Sequence, residues 1–200
     1  MLAATMPTPS ARDRLLDAAL ELFATHGFQA IGLRDLAGHV GLQAGSLYHH
    51  IENKQCLLFE LIESALSDLL ADTQRRLKGA STTCERVRRF VQAFVVFSLK
   101  EKHGLTLITR EFVNLNDENK QQAQALKAAY CSLLTPIIAE KYQNNSEREK
   151  EIGLITHAVI GMLYGQSQWS DVAVSEQQLT EVLTQCVLCI ISSGKTSPVS

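Results

Sequence analysis

The 200-residue sequence predicts an all-α fold in two parts. Apolar residues recur every three or four positions from Leu15 nearly to the C-terminus, which is the helical period. No stretch shows the every-second-residue alternation of a half-buried strand. Between Leu33 and Ile51 two short periodic segments flank a turn at Gly41, and a much longer periodic segment follows. With 46% hydrophobic and 20% charged residues the chain can bury a sizeable core.

The elements follow in order. Residues 1–9 carry small side chains and two prolines and are expected to be a flexible arm, without the charged and apolar regions of a secretory signal. Ser10 is a plausible N-cap for a first helix through Leu15, Leu16, Ala19, Leu22 and Phe23, which Gly27 ends. Leu33, Leu36, Ala37 and Val40 make a short second helix ended by Gly41. A third begins near Ser46 and carries Leu47, Tyr48 and Ile51. Two short helices around a glycine turn are the sequence form of a helix-turn-helix. Asn53 then caps a long fourth helix, through Leu57, Leu58, Leu61, Ile62, Leu66, Leu69 and Leu70 to about Leu77.

Past a small polar break at Gly79–Thr83, longer helices are expected over Cys84–Lys102, Leu105–Asn114, Asp117–Tyr142, Glu147–Ser167 and Glu176–Ser193. Pro136 should kink or break the third of these, because proline lacks the helical N–H and clashes with the preceding turn. Residues 194–200 form a polar tail. The expected division is an arm at 1–9, a helix-turn-helix domain at 10–56, a helical second domain at 57–193, and a disordered tail at 194–200.

Composition narrows the class further. The apolar stretches Val91–Leu99 and Glu151–Tyr164 fall short of the ~20 residues of a membrane span, so no membrane is expected. Cys56, Cys84, Cys131, Cys186 and Cys189 are odd in number and lie in helical patterns, which suits small buried hydrophobes in a reducing, cytoplasmic compartment. Cys186 and Cys189 form a C-x-x-C without a second pair or nearby histidine, so no metal site is expected. No Gly-rich phosphate loop, G-x-S-x-G or H-E-x-x-H occurs, which argues against an enzyme and against a bound cofactor. Net charge is −2, and from Ser10 to Leu58 four Lys/Arg stand against five acids. Any affinity for nucleic acid must come from the placement of charges.

Gly27-Phe28, Leu33-Arg34-Asp35-Leu36-Ala37, Val40-Gly41-Leu42, Gly45-Ser46-Leu47-Tyr48-His49-His50 and Asn53-Lys54 together resemble the DNA-binding domain of the TetR family, from about Ser10 to Leu61. The remainder resembles the family in its helical character and in a tryptophan near the end of the penultimate helix. The resemblance implies a ligand-responsive, dimeric repressor on a palindromic DNA operator.

A recognition helix must expose small or polar side chains at its start and be locked from behind by apolar ones. Gln43, Ala44, Gly45 and Ser46 meet the first need, and Leu36, Val40, Leu42 and Leu47 the second. Gln43 can bond a base edge, Ala44 can touch a thymine methyl, and Ser46 can cap its helix with its N–H toward a phosphate. Tyr48, His49 and Lys54 are placed for phosphates, as the resemblance also implies. Tyr48 could instead be a core aromatic, and His50 is read as structural. Gly32 stands where family members usually have a Ser or Thr hydroxyl, and Arg34, Arg12 and Arg14 are expected to compensate.

For the second domain, Gly153, Ile160 and Gly161 on the penultimate helix and Val182, Cys186 and Ile190 on the last are candidates for a homodimer interface. They equally suit intrachain packing. Ligand-pocket candidates are Phe94, Phe97, Arg110, Phe112, Tyr130, His157, Tyr164 and Trp169, aromatic or lone polar groups in apolar helices. Each also fits ordinary core packing. An Arg at 110 suits an acidic, hydrophobic effector or an acyl thioester. The alternative to the regulator is a helical interaction protein that kept the fold and lost DNA binding.

Overall fold

The computed structural model of the chain describes residues 10–49, 51–142, 148–169 and 174–193. All the regular structure among them is helical, as expected: α1 Ala11–His26, α2 Leu33–His39, α3 Ala44–Leu47, α4 Lys54–Leu77, α5 Thr83–Lys100, α6 Lys102–Thr106, α7 Asp117–Ala139, α8 Glu149–Trp169 and α9 Glu176–Ser193. The expected arm at 1–9 and tail at 194–200 lie outside the described residues. The chain divides into two compact units. One comprises residues up to Ala65 with His103–Ala123, and the other Leu66–Lys102 with residues from Gln124 onward.

In the first unit, Ser10 caps α1 as its hydroxyl accepts the Asp13 N–H at 3.1 Å and the Asp13 carboxylate accepts the Ser10 N–H at 3.0 Å. The Ser10 hydroxyl and then the Ser10 N–H, both beside the Asp13 carboxyl, hold it below its ordinary pKa. Gly27 ends the helix at φ +90°, its N–H reaching the Phe23 carbonyl. Leu15, Phe23, Leu36, Leu47, Leu58 and Ile62 are fully buried and form the core of this unit. Gly41 turns between α2 and α3 at φ +69°, and the Leu42 N–H closes the turn on the Ala37 carbonyl at 2.8 Å.

The segment expected as one helix over Leu105–Asn114 is instead three pieces. α6 opens into a π turn, Leu107–Glu111, then tightens into a 3-10 turn, Phe112–Asn114. The Thr109 hydroxyl donates to the Leu105 carbonyl at 2.8 Å. This side-chain bond competes with the regular backbone ladder. The widened turn buries Leu107, Ile108 and Glu111, the last only 5% exposed.

Glu111 is the polar centre of the unit. Its carboxylate accepts the Phe28 N–H at 3.2 Å and the Asn114 amide at 2.7 Å. Gln29 donates to the Asn114 side chain at 3.0 Å, and Gln55 donates to the Asn114 carbonyl at 2.9 Å while accepting the Asn116 N–H at 3.2 Å. Lys54 completes the knot by donating to the Phe28 carbonyl with its ammonium 4.1 Å from the Phe28 ring centroid. Burial lowers the Lys54 pKa, and the charges of Asp35 and Glu111 oppose that shift.

In the second unit α5 packs on α9 and α8, and α8 on α9. Phe90, Val91 and Phe94 on α5, Val159 and Leu163 on α8, and Val187 on α9 are fully buried there. The Tyr142 hydroxyl donates to the Ile191 carbonyl at 2.9 Å and pins the end of α9. Arg89 caps the end of α4 through the Arg76 and Lys78 carbonyls. α7 continues through Pro136, contrary to the expected break. The proline costs the one bond that a residue 136 N–H would give to the Ser132 carbonyl, and the helix carries on to Ala139.

The thiols also depart from expectation. Cys84, Cys186 and Cys189 are exposed in this chain, and Cys56 and Cys131 are half-buried. On α9 the inward positions are Leu183, Val187 and Ile191, which leaves Cys186 and Cys189 on other faces of the same helix.

Two substitutions probe this framework. Gly41→Ala should lower unfolding free energy by about 1–2 kcal/mol in urea denaturation, because a Cβ in the left-handed region is strained. Glu111→Ala should cost about 1–3 kcal/mol by leaving the Phe28 N–H unpaired in the interior, and Glu111→Gln, which keeps an acceptor, should cost less.

Candidate nucleic-acid interface

α3 presents an edge. Leu47 on its back is fully buried and Leu42 before it half-buried, while Gln43, Gly45, Tyr48 and His49 are exposed. Tyr48 is 62% exposed, so the ring is not a core aromatic in this chain. Arg34, near the start of α2, is also exposed. The side chain of Ala44 and all of His50 lie outside the described residues.

Several expected roles change. α3 starts at Ala44 with Gln43 at the cap position, so Ser46 is an interior residue of the helix. Its N–H bonds the Gln43 carbonyl at 2.9 Å and does not face outward as a phosphate donor. Arg12 belongs to α1 and pairs with Glu60 of α4 at 2.6 Å, and Arg14 also lies within α1. Lys54 is half-buried, with its ammonium on the Phe28 carbonyl. At the start of α2, the Gly32 N–H donates to the Asp35 carboxylate at 2.7 Å. A Cβ on residue 32 would lie 3.0 Å from that carboxylate, so glycine there goes with Asp35 folding back over the helix start.

Of the pocket candidates, the second unit buries Phe94, Phe97 and Tyr130 and half-buries Tyr164. Phe94 lies 5.1 Å from Tyr164, ring to ring, and Tyr130 stacks at 4.9 Å on Phe90, a residue the sequence pattern did not single out. Arg110 is exposed and Phe112 half-buried, both on the segment that belongs to the first unit. His157 is exposed on α8, and the Trp169 side chain lies outside the described residues.

The dimer candidates separate by face. Leu154, 71% exposed, accompanies half-buried Gly153 and Ile160 and exposed Gly161 on α8. Val182, 61% exposed, accompanies exposed Cys186 and half-buried Ile190 on α9. A Cβ added at Gly153, Gly161 or Gly165 would meet nothing within 4 Å, so these glycines leave open surface. Among the described residues no three His, Cys, Asp or Glu side chains gather as metal ligands would. None of the described helices is long and apolar enough to cross a membrane.

Comparison with known proteins adds to this geometry. Residues 15–61 match the family profile of bacterial regulatory proteins of the tetR family, and residues 80–191 match the tetracyclin repressor-like C-terminal domain. The HTH-type transcriptional repressor KstR2 of Rhodococcus jostii is 31% identical over 122 residues, covering 55% of this chain and 58% of that protein. The chain spans about half the length of the first curated relatives it matches. A TetR-family transcriptional regulator from Bordetella parapertussis superposes with TM-score 0.83 at 18% identity, covering 90% of this chain and 95% of that one. AibR, solved in complex with isovaleryl coenzyme A and operator DNA, superposes with TM-score 0.77 at 19% identity, covering 88% and 97%. With both family profiles matched, the second over more than half of its length, the chain belongs to the TetR family of bacterial regulatory proteins.

Proposed function

We propose that this protein is a cytoplasmic, dimeric transcriptional repressor, not an enzyme, released from a palindromic DNA operator by a small hydrophobic effector. The observation that carries the reading is the edge of α3, where Gln43, Gly45, Tyr48 and His49 are exposed over a buried Leu47. A helix locked from behind and polar in front can enter the major groove. Gln43 reads a base edge, Ala44 a thymine methyl, and Arg34, Tyr48 and His49 hold phosphates, which fix position without reading sequence. Gly45 lets the backbone approach the DNA closely.

Dimerisation follows from the same chemistry, because one short recognition helix makes too few contacts to select a site, and two half-sites a helical turn apart make enough. The outward faces of α8 and α9 support that pairing with exposed Leu154 and Val182 beside open glycines. An effector releases DNA only if it binds better to the arrangement whose recognition helices are wrongly spaced. α4 is the natural lever, since its residues to Ala65 belong to one unit and those from Leu66 to the other. The solved AibR complex, which holds both an acyl thioester and operator DNA, supports an effector of that kind.

Binding to the DNA flanking the protein's own gene, followed by fluorescence anisotropy across a salt series, tests this reading. Affinity should fall steeply with salt. Gln43→Ala and Tyr48→Ala together should weaken binding by roughly 10- to 100-fold with no loss of folded stability. Salt-insensitive binding that this variant leaves unchanged would contradict the proposal. Gly45→Ala should separate the two properties. It should raise stability by up to about 1 kcal/mol through helix propensity and open space, yet lower DNA affinity.

A further inference from the structure

The core of the second unit contains a donor that the protein does not use. Tyr130 is 2% exposed, its ring is stacked on Phe90, and its hydroxyl has no hydrogen-bond partner. Thr73 on α4 stands close by, and its own hydroxyl donates to the Leu69 carbonyl at 2.7 Å. Tyr164, packed on Phe94, lies near enough to Tyr130 for its phenol to raise the Tyr130 pKa. Buried hydroxyls are rarely left unpaired in native proteins, and an exception calls for a missing acceptor.

The chemistry of that acceptor can be narrowed. Burial drives both phenols well above their ordinary pKa, so each carries its proton at neutral pH and can donate. Among the described residues the only fully buried ionisable side chain of the Asp, Glu, Lys and Arg kind is Glu111, which lies in the other unit. Lys127, one turn before Cys131 on α7, is half-buried and is not among the buried side chains. A carboxylate against Tyr130 would lose its hydration without a buried cation to replace it. A carbonyl oxygen needs only the hydroxyl.

We propose that Tyr130, with Tyr164 beside it, is the polar end of the effector site and takes the uncharged carbonyl oxygen of an otherwise apolar ketone, ester or thioester in preference to a carboxylate. This assignment rests on the effector-released regulator proposed above and selects among its candidate ligands. Phe90 and Phe94 supply the aromatic wall on which the apolar body packs. Arg110, exposed and in the first unit, is not the anchor.

The test uses the full-length protein, its Tyr130→Phe and Tyr164→Phe variants, and three probes of matched chain length: 2-undecanone, methyl decanoate and decanoate. Without probe, Tyr130→Phe should melt at the wild-type temperature or above it. A drop of several degrees would mean that the hydroxyl is satisfied inside the protein and would overturn the assignment. By calorimetry the ketone or the ester should bind wild type more tightly than decanoate does, and Tyr130→Phe should lose up to about tenfold of that affinity. Decanoate binding as tightly as the uncharged probes, an unchanged affinity in Tyr130→Phe, or no binding of either uncharged probe would overturn it. The same preparations are assayed for operator DNA. DNA binding without the expected probe behaviour removes only the carbonyl site, whereas absent DNA binding removes the regulator reading itself.

Discussion

The buried carboxylate of Glu111 is the contact on which the first unit depends. An acid in the interior is tolerated only when its lone pairs are met by donors. Here the donors are the Phe28 N–H, in the turn that follows α1, and the Asn114 amide. The Lys54 ammonium takes the carbonyl of the same Phe28, so both polar groups of one turn residue are held, from the π segment and from the start of α4. The Phe28 ring packs edge-on against Phe23 at 5.2 Å, which ties the polar knot to the apolar core. Fixing that turn fixes where α1 ends and α2 begins, and through Gly41 where α3 points.

This arrangement accounts for a helix-turn-helix with little positive charge. Its cations are largely employed in holding the domain together: Arg12 pairs with Glu60, and Lys54 sits against Phe28. What remains on the edge is mostly neutral, namely Gln43, Gly45 and Tyr48, with His49 and Arg34 beside them. Selection of a sequence by such a surface depends on fit and hydrogen bonding, which places weight on the rigidity that Glu111 provides. The π turn that carries Glu111 is an uncommon backbone form that is often found at functional positions.

Much of this was legible from sequence because it rests on local rules. The Ser10 cap, the Gly27 and Gly41 stops, and the apolar spacing of α4 and α9 each follow from nearby residues, and the structure has them. The Leu105–Asn114 segment was not legible. Its apolar period suits a plain helix, and only the threonine hydroxyl at 109 and the distant Phe28 N–H that Glu111 must reach explain the widened turn. The bond between Lys54 and Phe28 was not legible for a related reason. Spacing places a side chain on a helix but says nothing of a partner brought up by another element, such as the Phe28 carbonyl. In the second unit, apolar helices suggested several pocket residues at once. Only packing distinguishes Tyr130, with its unpaired hydroxyl, from exposed His157 and Arg110.

Amide hydrogen exchange of the protein, free and bound to its operator, tests the central claim most directly. DNA should slow exchange across residues 43–49 and at the start of α2. The Phe28 amide, already bonded to Glu111, should be slow in both states. Protection that appears elsewhere while 43–49 stays unchanged would contradict the claim that this helix edge reads DNA.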